Sequence, residues 1–182
     1  MRYVILILML FSCSLFAGEV ELPGKLDETF LGLRMGCSPA ELKVVLEKGK
    51  HPCKFIKKTP EGDMIAYLFT GSHQLSGASR TIAMFWNDRL IMLFVRFESD
   101  DSEKIYDALK NLIEKKYGAP NDKIQFGGKK CEVSKNGLVI VLEHNVGVME
   151  TDTVDLAAGH RALVDARKEQ NIKDQEKELG DL

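Results

Sequence analysis

The residues with which this chain could do chemistry are its four histidines, His51, His73, His144 and His160, and its four cysteines, Cys13, Cys37, Cys53 and Cys131. A zinc-protease helix needs two histidines four apart with a glutamate between them, and no pair has that spacing. His51 and Cys53 flank Pro52, which reads as a turn beside a structural cysteine. Glu143 and His144 are adjacent in an apolar run that reads as a strand. Neighbours in a strand point to opposite faces, so these two do not converge on one substrate, and the pair reads as an exposed strand end. There is no Gly-x-Ser-x-Gly elbow, and Cys131 has no histidine near it in the chain. Gly127-Gly128-Lys129-Lys130 lacks the spacing of a phosphate loop and reads as a hairpin turn. Asp100-Asp101 reads as helix capping. The expectation is a non-enzymatic protein with no catalytic residue, no metal and no cofactor.

The elements that would position any site centre on residues 80–97. Two apolar runs there are separated by Asn87-Asp88, whose side chains tolerate the positive φ of a tight turn. With a two-residue loop, Trp86 faces Arg89, Phe85 faces Leu90 and Met84 faces Ile91; a three-residue turn with a bulge would shift the pairing but leave both faces apolar. One side of the hairpin then carries Ile82, Met84, Trp86, Ile91, Leu93, Val95 and Phe97. The other carries Ala83, Phe85, Leu90, Met92 and Phe94, ending at Arg96. Antiparallel pairs usually keep one wet side, and this one is apolar on both. Phe85, Leu90, Met92 and Phe94 are therefore the candidate binding residues.

Residues 1–17 read as a secretory signal: a basic start at Arg2, an apolar stretch from Val4 to Phe11, and a small residue at Ala17. Two processing routes fit. Cleavage after Ala17 gives a soluble exported, periplasmic protein. Alternatively Leu10-Phe11-Ser12-Cys13 serves as a lipobox, and Cys13 becomes a lipidated N-terminus that anchors the chain to a membrane. Export implies an oxidising compartment. Cys37, Cys53 and Cys131 then allow one disulfide in any of three pairings, or three small buried residues. A composition of 45% hydrophobic and 29% charged residues is that of a folded chain. A net charge of -2 gives no reason to expect nucleic acid.

Residues 18–29 read as an extended leader, 30–159 as one α+β domain, and 160–182 as a charged C-terminal helix. Ser38, Pro39 and Glu41 form a capping box with proline at the first helical position, and Gly49 and Pro52 stop that helix. Strands are expected at 53–58 and 64–70. A second helix starts at Asp100 with Glu103 in the capping-box position; Ile105, Ala108, Leu109, Leu112, Ile113 and Tyr117 form its stripe. It ends at Gly118 and Pro120. Strands follow at 123–126, 130–134, 138–144, after an Asn136-Gly137 turn, and 153–158. The last helix has only Ala162, Leu163, Ala166 and Ile172 as an anchoring stripe. The order helix, Gly, Pro, strands occurs twice, consistent with a duplicated unit. The fold class expected is α+β: an antiparallel sheet with two main helices on one face.

The run Arg34-Met35-Gly36-Cys37-Ser38-Pro39-Ala40-Glu41-Leu42, followed by Val45-Leu46-Glu47-Lys48-Gly49 and Pro52, resembles the opening of many small exported bacterial proteins. Among them is the small lipoprotein family of the outer-membrane barrel-assembly machinery. That resemblance implies a helix pair on a three-stranded antiparallel sheet, from which this chain departs by placing one helix before its strands. The second unit, with Tyr117-Gly118-Ala119-Pro120 and the charged terminal helix, is similar to exported α+β domains of unknown function. The expected role is an exported envelope protein acting by protein–protein contact, with an envelope protein or a second copy as partner. The alternative is a carrier of a small apolar molecule or lipid on the same sheet face. Membrane contact is expected only through a lipid on Cys13.

Overall fold

The computed structural model describes residues 29–51, 53–125, 128–147 and 151–180. The signal segment with Cys13, and the leader as far as residue 28, lie outside the described residues; Thr29, expected in the leader, begins β1. Within them the chain is α+β, as expected. Thr29–Phe30 (β1) and Leu33–Arg34 (β2) form a two-stranded ribbon. Pro39–Glu47 (α1) leads into Lys54–Glu61 (β3), Met64–Thr70 (β4), Arg80–Trp86 (β5) and Arg89–Glu98 (β6). Ser102–Tyr117 (α2) leads into Asn121–Gln125 (β7), Gly128–Lys135 (β8), Leu138–Asn145 (β9) and Thr153–His160 (β10). Arg161–Gly180 (α3) follows.

The strands β3 to β10 make one antiparallel sheet in the order β3-β4-β5-β6-β10-β9-β8-β7. A helix followed by a four-stranded meander thus occurs twice, and the two meanders meet where β6 pairs with β10. That central junction is the most buried part of the sheet. Leu93, Val95, Val154 and Ala158 have no measurable exposure. Each fully buried aliphatic side chain contributes about 1.5–3 kcal/mol.

Local chemistry explains the boundaries. Ser38 caps α1 with both halves of its box made: Glu41 N donates to Ser38 Oγ, and Ser38 N donates to Glu41 Oε2 at 2.8 Å. Asn87 and Asp88 both take positive φ, 48° and 56°, as do Asn136 and Gly137 at 50° and 80°. Both hairpins therefore use the turn whose twist matches that of paired strands.

The predicted hairpin register needs one correction. Trp86 faces Arg89 and Phe85 faces Leu90, but Met84 faces Met92. Ile91 is an extra residue, and Leu90 exchanges backbone hydrogen bonds with 36–37: Gly36 N to Leu90 O at 2.7 Å and Leu90 N to Cys37 O at 2.9 Å. A bulge shifts every later pairing by one. Ile82 and Met84 therefore share a face with Met92, Phe94 and Arg96, while Ala83 sits beside Leu93.

The Arg96 face also carries a charged row. Arg80, Arg96, Asp155, Glu143 and Lys130 lie in register across β5, β6, β10, β9 and β8. Arg96 grips Asp155 with two nitrogens, each at 2.7 Å. Lys130 Nζ lies 2.9 Å from Glu143. Glu143 and His144 do face opposite ways, as alternation requires, but neither is an exposed strand end.

α2 departs from expectation at its start. Its N-cap is Asp101, with no side-chain capping bond, and Glu103 pairs with Lys129 of β8 instead of closing a box. Tyr106, Leu109 and Ile113 are its buried apolar residues, and Leu112 is 47% exposed. In α3 the anchors are Leu163 and Val164, whereas Ile172 is exposed.

Candidate functional site

Three side chains that could do chemistry converge between α2 and the end of β9. Ser102 is the first residue of α2, His144 is on β9, and Asp152 stands just before β10. Ser102 Oγ lies 2.9 Å from His144 Nε2 and donates to Asp152 Oδ2 at 3.2 Å. Asp152 Oδ2 is also 3.8 Å from His144 Nε2. Ser102 and His144 are buried, and Tyr106 stands against the imidazole with ring centroids 6.1 Å apart.

The composition is that of a hydrolytic triad, but the connectivity is not. In a triad the serine holds one imidazole nitrogen and the acid holds the other, so that the acid orients the base. Here serine and acid both approach Nε2, and Nδ1 is buried with no hydrogen-bond partner. With the imidazole proton on Nε2, His144 donates to Ser102, which donates on to Asp152. In that tautomer the serine proton points at the carboxylate rather than at the imidazole. Asp152 also accepts from Gly147 N at 3.0 Å. The cluster ties three segments together: the start of α2, the end of β9 and the approach to β10. Ser102→Ala is expected to cost about 1–3 kcal/mol, because it removes a partner from buried His144. Urea unfolding checks this, and a change near zero would mean that the cluster clamps nothing.

Beside this cluster is a groove of about 980 Å³, lined by the first turns of α2 and the ends of β7, β8 and β9. Its lysines have carboxylate partners: Lys104 with Asp101, Lys110 with Asp122, Lys129 with Glu103 and Lys130 with Glu143. The hydrogen bond from Lys129 holds the Glu103 carboxyl below its ordinary range. The groove is lined by six carboxylates and four lysines, with Tyr106 and Val146 among them.

The four residues expected to bind a partner are in the interior. Phe85, Leu90, Met92 and Phe94 are 1%, 0%, 3% and 4% exposed, so they offer no open surface. Of the two outcomes open to the cysteines, the structure has the one without a disulfide: Cys37, Cys53 and Cys131 are free thiols. Cys37 is buried at the entry to α1, and burial pushes its thiol up to about 11. Cys131 lies on β8 against the Tyr106 hydroxyl, and burial raises its pKa too. Cys53, half-buried before β3, is raised for the same reason. Thiols held protonated are poor nucleophiles.

His73 is buried in the β4–β5 loop, with Nε2 2.7 Å from the Leu31 carbonyl oxygen. Burial pushes the imidazole below its ordinary value of 6.5. The unfolded chain then takes up the proton first. Stability is expected to be complete above about pH 6.5 and to fall as pH drops from there through the lower folded-state value. His73→Gln should flatten that part of a stability–pH curve measured by urea unfolding. An unchanged slope would assign the acid sensitivity elsewhere.

No protein-family model matches the chain. Neither the curated proteins nor the solved structures hold a match either.

One surface was missed in the sequence. Residues 48–58 hold five lysines, Lys48, Lys50, Lys54, Lys57 and Lys58, and no acid. All five are exposed, and among the described residues none forms an ion pair. They surround Phe55 and Ile56, 57% and 49% exposed, on the edge strand of the sheet. Phe55 rests on Phe69 and Tyr67 with centroids at 5.7 and 6.3 Å, and Tyr67 meets Phe85 at 5.2 Å. An aromatic row thus runs from the rim to one of the expected residues. The sign was legible as a one-signed charge run, but a net charge near zero concealed it.

Proposed function

We propose that the protein is an exported, non-enzymatic envelope protein that works by contact with another protein through the β3 rim. The observation that carries this reading is the pairing of two exposed apolar side chains, Phe55 and Ile56, with five lysines that no carboxylate among the described residues pairs with. Exposed apolar residues inside a one-signed field suit recognition better than solubility. The Ser102 cluster supports the non-catalytic part, because serine and acid approach the same imidazole nitrogen rather than opposite ones. Export rests on the signal-like character of residues 1–17. We also propose that α1 and α2 lie on one face of the sheet and that the two helix-and-meander units are a duplication. Leu42, Leu46, Tyr106, Leu109 and Ile113 belonging to one apolar cluster support the first, and the mirrored strand order supports the second.

The test is a photocrosslinking residue placed at Ile56, with a second at exposed Ile172 as control, in cells that export the chain. An adduct with one protein at 56 alone, abolished by charge reversal of Lys54, Lys57 and Lys58, is expected. Equal labelling at both positions would remove the rim as a recognition surface. The carrier alternative points instead to the groove beside α2. A polar small molecule that raises the unfolding temperature, with the gain lost in Lys129→Ala, would favour it.

A further inference from the structure

We infer that the occupant of the β3 rim is an extended, acid-rich segment of a partner protein, laid along β3 with carboxylates on Lys54, Lys57 and Lys58 and an apolar residue against Phe55 and Ile56. This rests on the rim being a recognition surface and adds the chemistry of what it recognises.

Three observations select that occupant. The first is charge. Elsewhere Lys43, Lys104, Lys110, Lys129 and Lys130 each have a carboxylate of the same chain within 4 Å. Among the described residues the rim lysines, like Lys115, Lys116 and Lys135, have no such partner, but only the rim lysines gather around exposed Phe55 and Ile56, so their charge is available to a partner of opposite sign that meets those side chains. The second is the edge itself. β3 closes one side of the sheet, and an edge strand offers N–H and C=O groups along its outer side. An extended peptide satisfies those groups as an added strand. The third is the geometry of Phe55. Its ring is propped edge-on against Phe69 and tilted against Tyr67, so it forms a shelf rather than a free spike. A shelf suits a side chain laid across it.

The same features exclude a second copy of this chain. Pairing β3 with β3 would set lysines against lysines, which repels. The bulge between Phe55 and Lys57, and Pro60 farther along, interrupt the ladder for any added strand, so it is charge that tells a like strand from an acidic one. The lysines thus guard the edge against like strands, and an acidic strand converts that guard into attraction. Pro60 lacks a donor, so the added segment runs along residues 54–59.

The test uses the full chain and two fluorescent peptides, one alternating glutamate with leucine and phenylalanine, the other with lysine in place of glutamate. Fluorescence anisotropy is expected to show saturable binding of the acidic peptide alone, weakening about tenfold when salt is raised from low to well above physiological strength. Lys54→Glu, Lys57→Glu and Lys58→Glu together should weaken it about tenfold or more, and Ile56→Ser alone by several-fold. Circular dichroism confirms that both variants, altered only at exposed positions, remain folded. A parallel flotation assay uses phosphatidylcholine vesicles with and without phosphatidylglycerol. Flotation that needs phosphatidylglycerol and the three lysines, with no peptide binding, would overturn the proposal in favour of a lipid surface. Binding of both peptides alike would overturn it as non-specific. A Lys-dependent adduct at residue 56 without acidic-peptide binding would leave the rim as a recognition surface and discard only the acidic strand.

Discussion

Asp155→Ala is expected to lower folding stability by about 3–5 kcal/mol. The carboxylate accepts from Arg96 Nε and from a second guanidinium nitrogen, both at 2.7 Å, in the middle of the sheet. The two side chains are only 15% and 10% exposed, so water cannot replace the lost partner. The cost comes from taking a bidentate carboxylate away from a buried guanidinium more than from the attraction itself, since a buried pair roughly offsets its own desolvation. Glu143 lies directly opposite Asp155 and turns to Lys130. Removing Asp155 therefore leaves Arg96 beside a carboxylate already engaged elsewhere. Urea unfolding gives the number. Arg80→Gln, which breaks the more exposed bond to Glu98 at 2.6 Å, is the comparison and is expected to cost under about 1 kcal/mol. A double replacement, Arg96→Met with Asp155→Leu, should recover most of the loss. If Asp155→Ala matches Arg80→Gln, the row behaves as a solvated surface and its burial has no energetic meaning.

Gly49→Ala is the second large effect, and its sign is informative. At an unstrained position this change stabilises by about 0.4–1 kcal/mol through the unfolded chain. Gly49 does not have positive φ, so backbone strain gives no reason for a penalty. The reason is space. A Cβ there would run into His73, standing 2.8 Å from its carbonyl oxygen and 3.0 Å from its Cα, and closer still to its Cβ. The same carbonyl accepts from Lys50 N at 2.8 Å, so it cannot retreat without breaking that bond. A loss of about 1–3 kcal/mol is expected from overpacking. Thermal and urea unfolding measure it, and a gain would show that the β4–β5 loop yields. The comparison with Gly118 is instructive, because that helix-ending glycine has φ 106° and open space around it. Two glycines ending two helices are required for different reasons, one by neighbours and one by backbone angle.

Much of the fold was legible because it depends on residues a few positions apart. The Ser38–Glu41 box, Pro39 and the two positive-φ turns each follow from chemistry within four residues, and the strands beside them were placed within a few positions. The bulge at Ile91 was not legible. It is tied to segment 36–37, more than fifty residues away in the chain, which engages the Leu90 backbone. Glu103 was assigned to a cap because its spacing fits one, yet Lys129 of β8 reaches it first. His144 looked like a strand end, and it became a buried partner of Ser102 only because α2 closes over it.

The apolarity of residues 80–97 was a true property of the sequence, and it marked the centre of the sheet. What that apolarity is for was decided by the β6–β10 junction, which places the hairpin in the middle of eight strands rather than at a surface. Alternation and turn chemistry determine which residues share a face, because both act along one strand. Which face is sealed and which edge is open depends on where distant segments come to rest, and no local spacing encodes that. One edge fell to β3, and with it the exposed Phe55, Ile56 and the lysines around them.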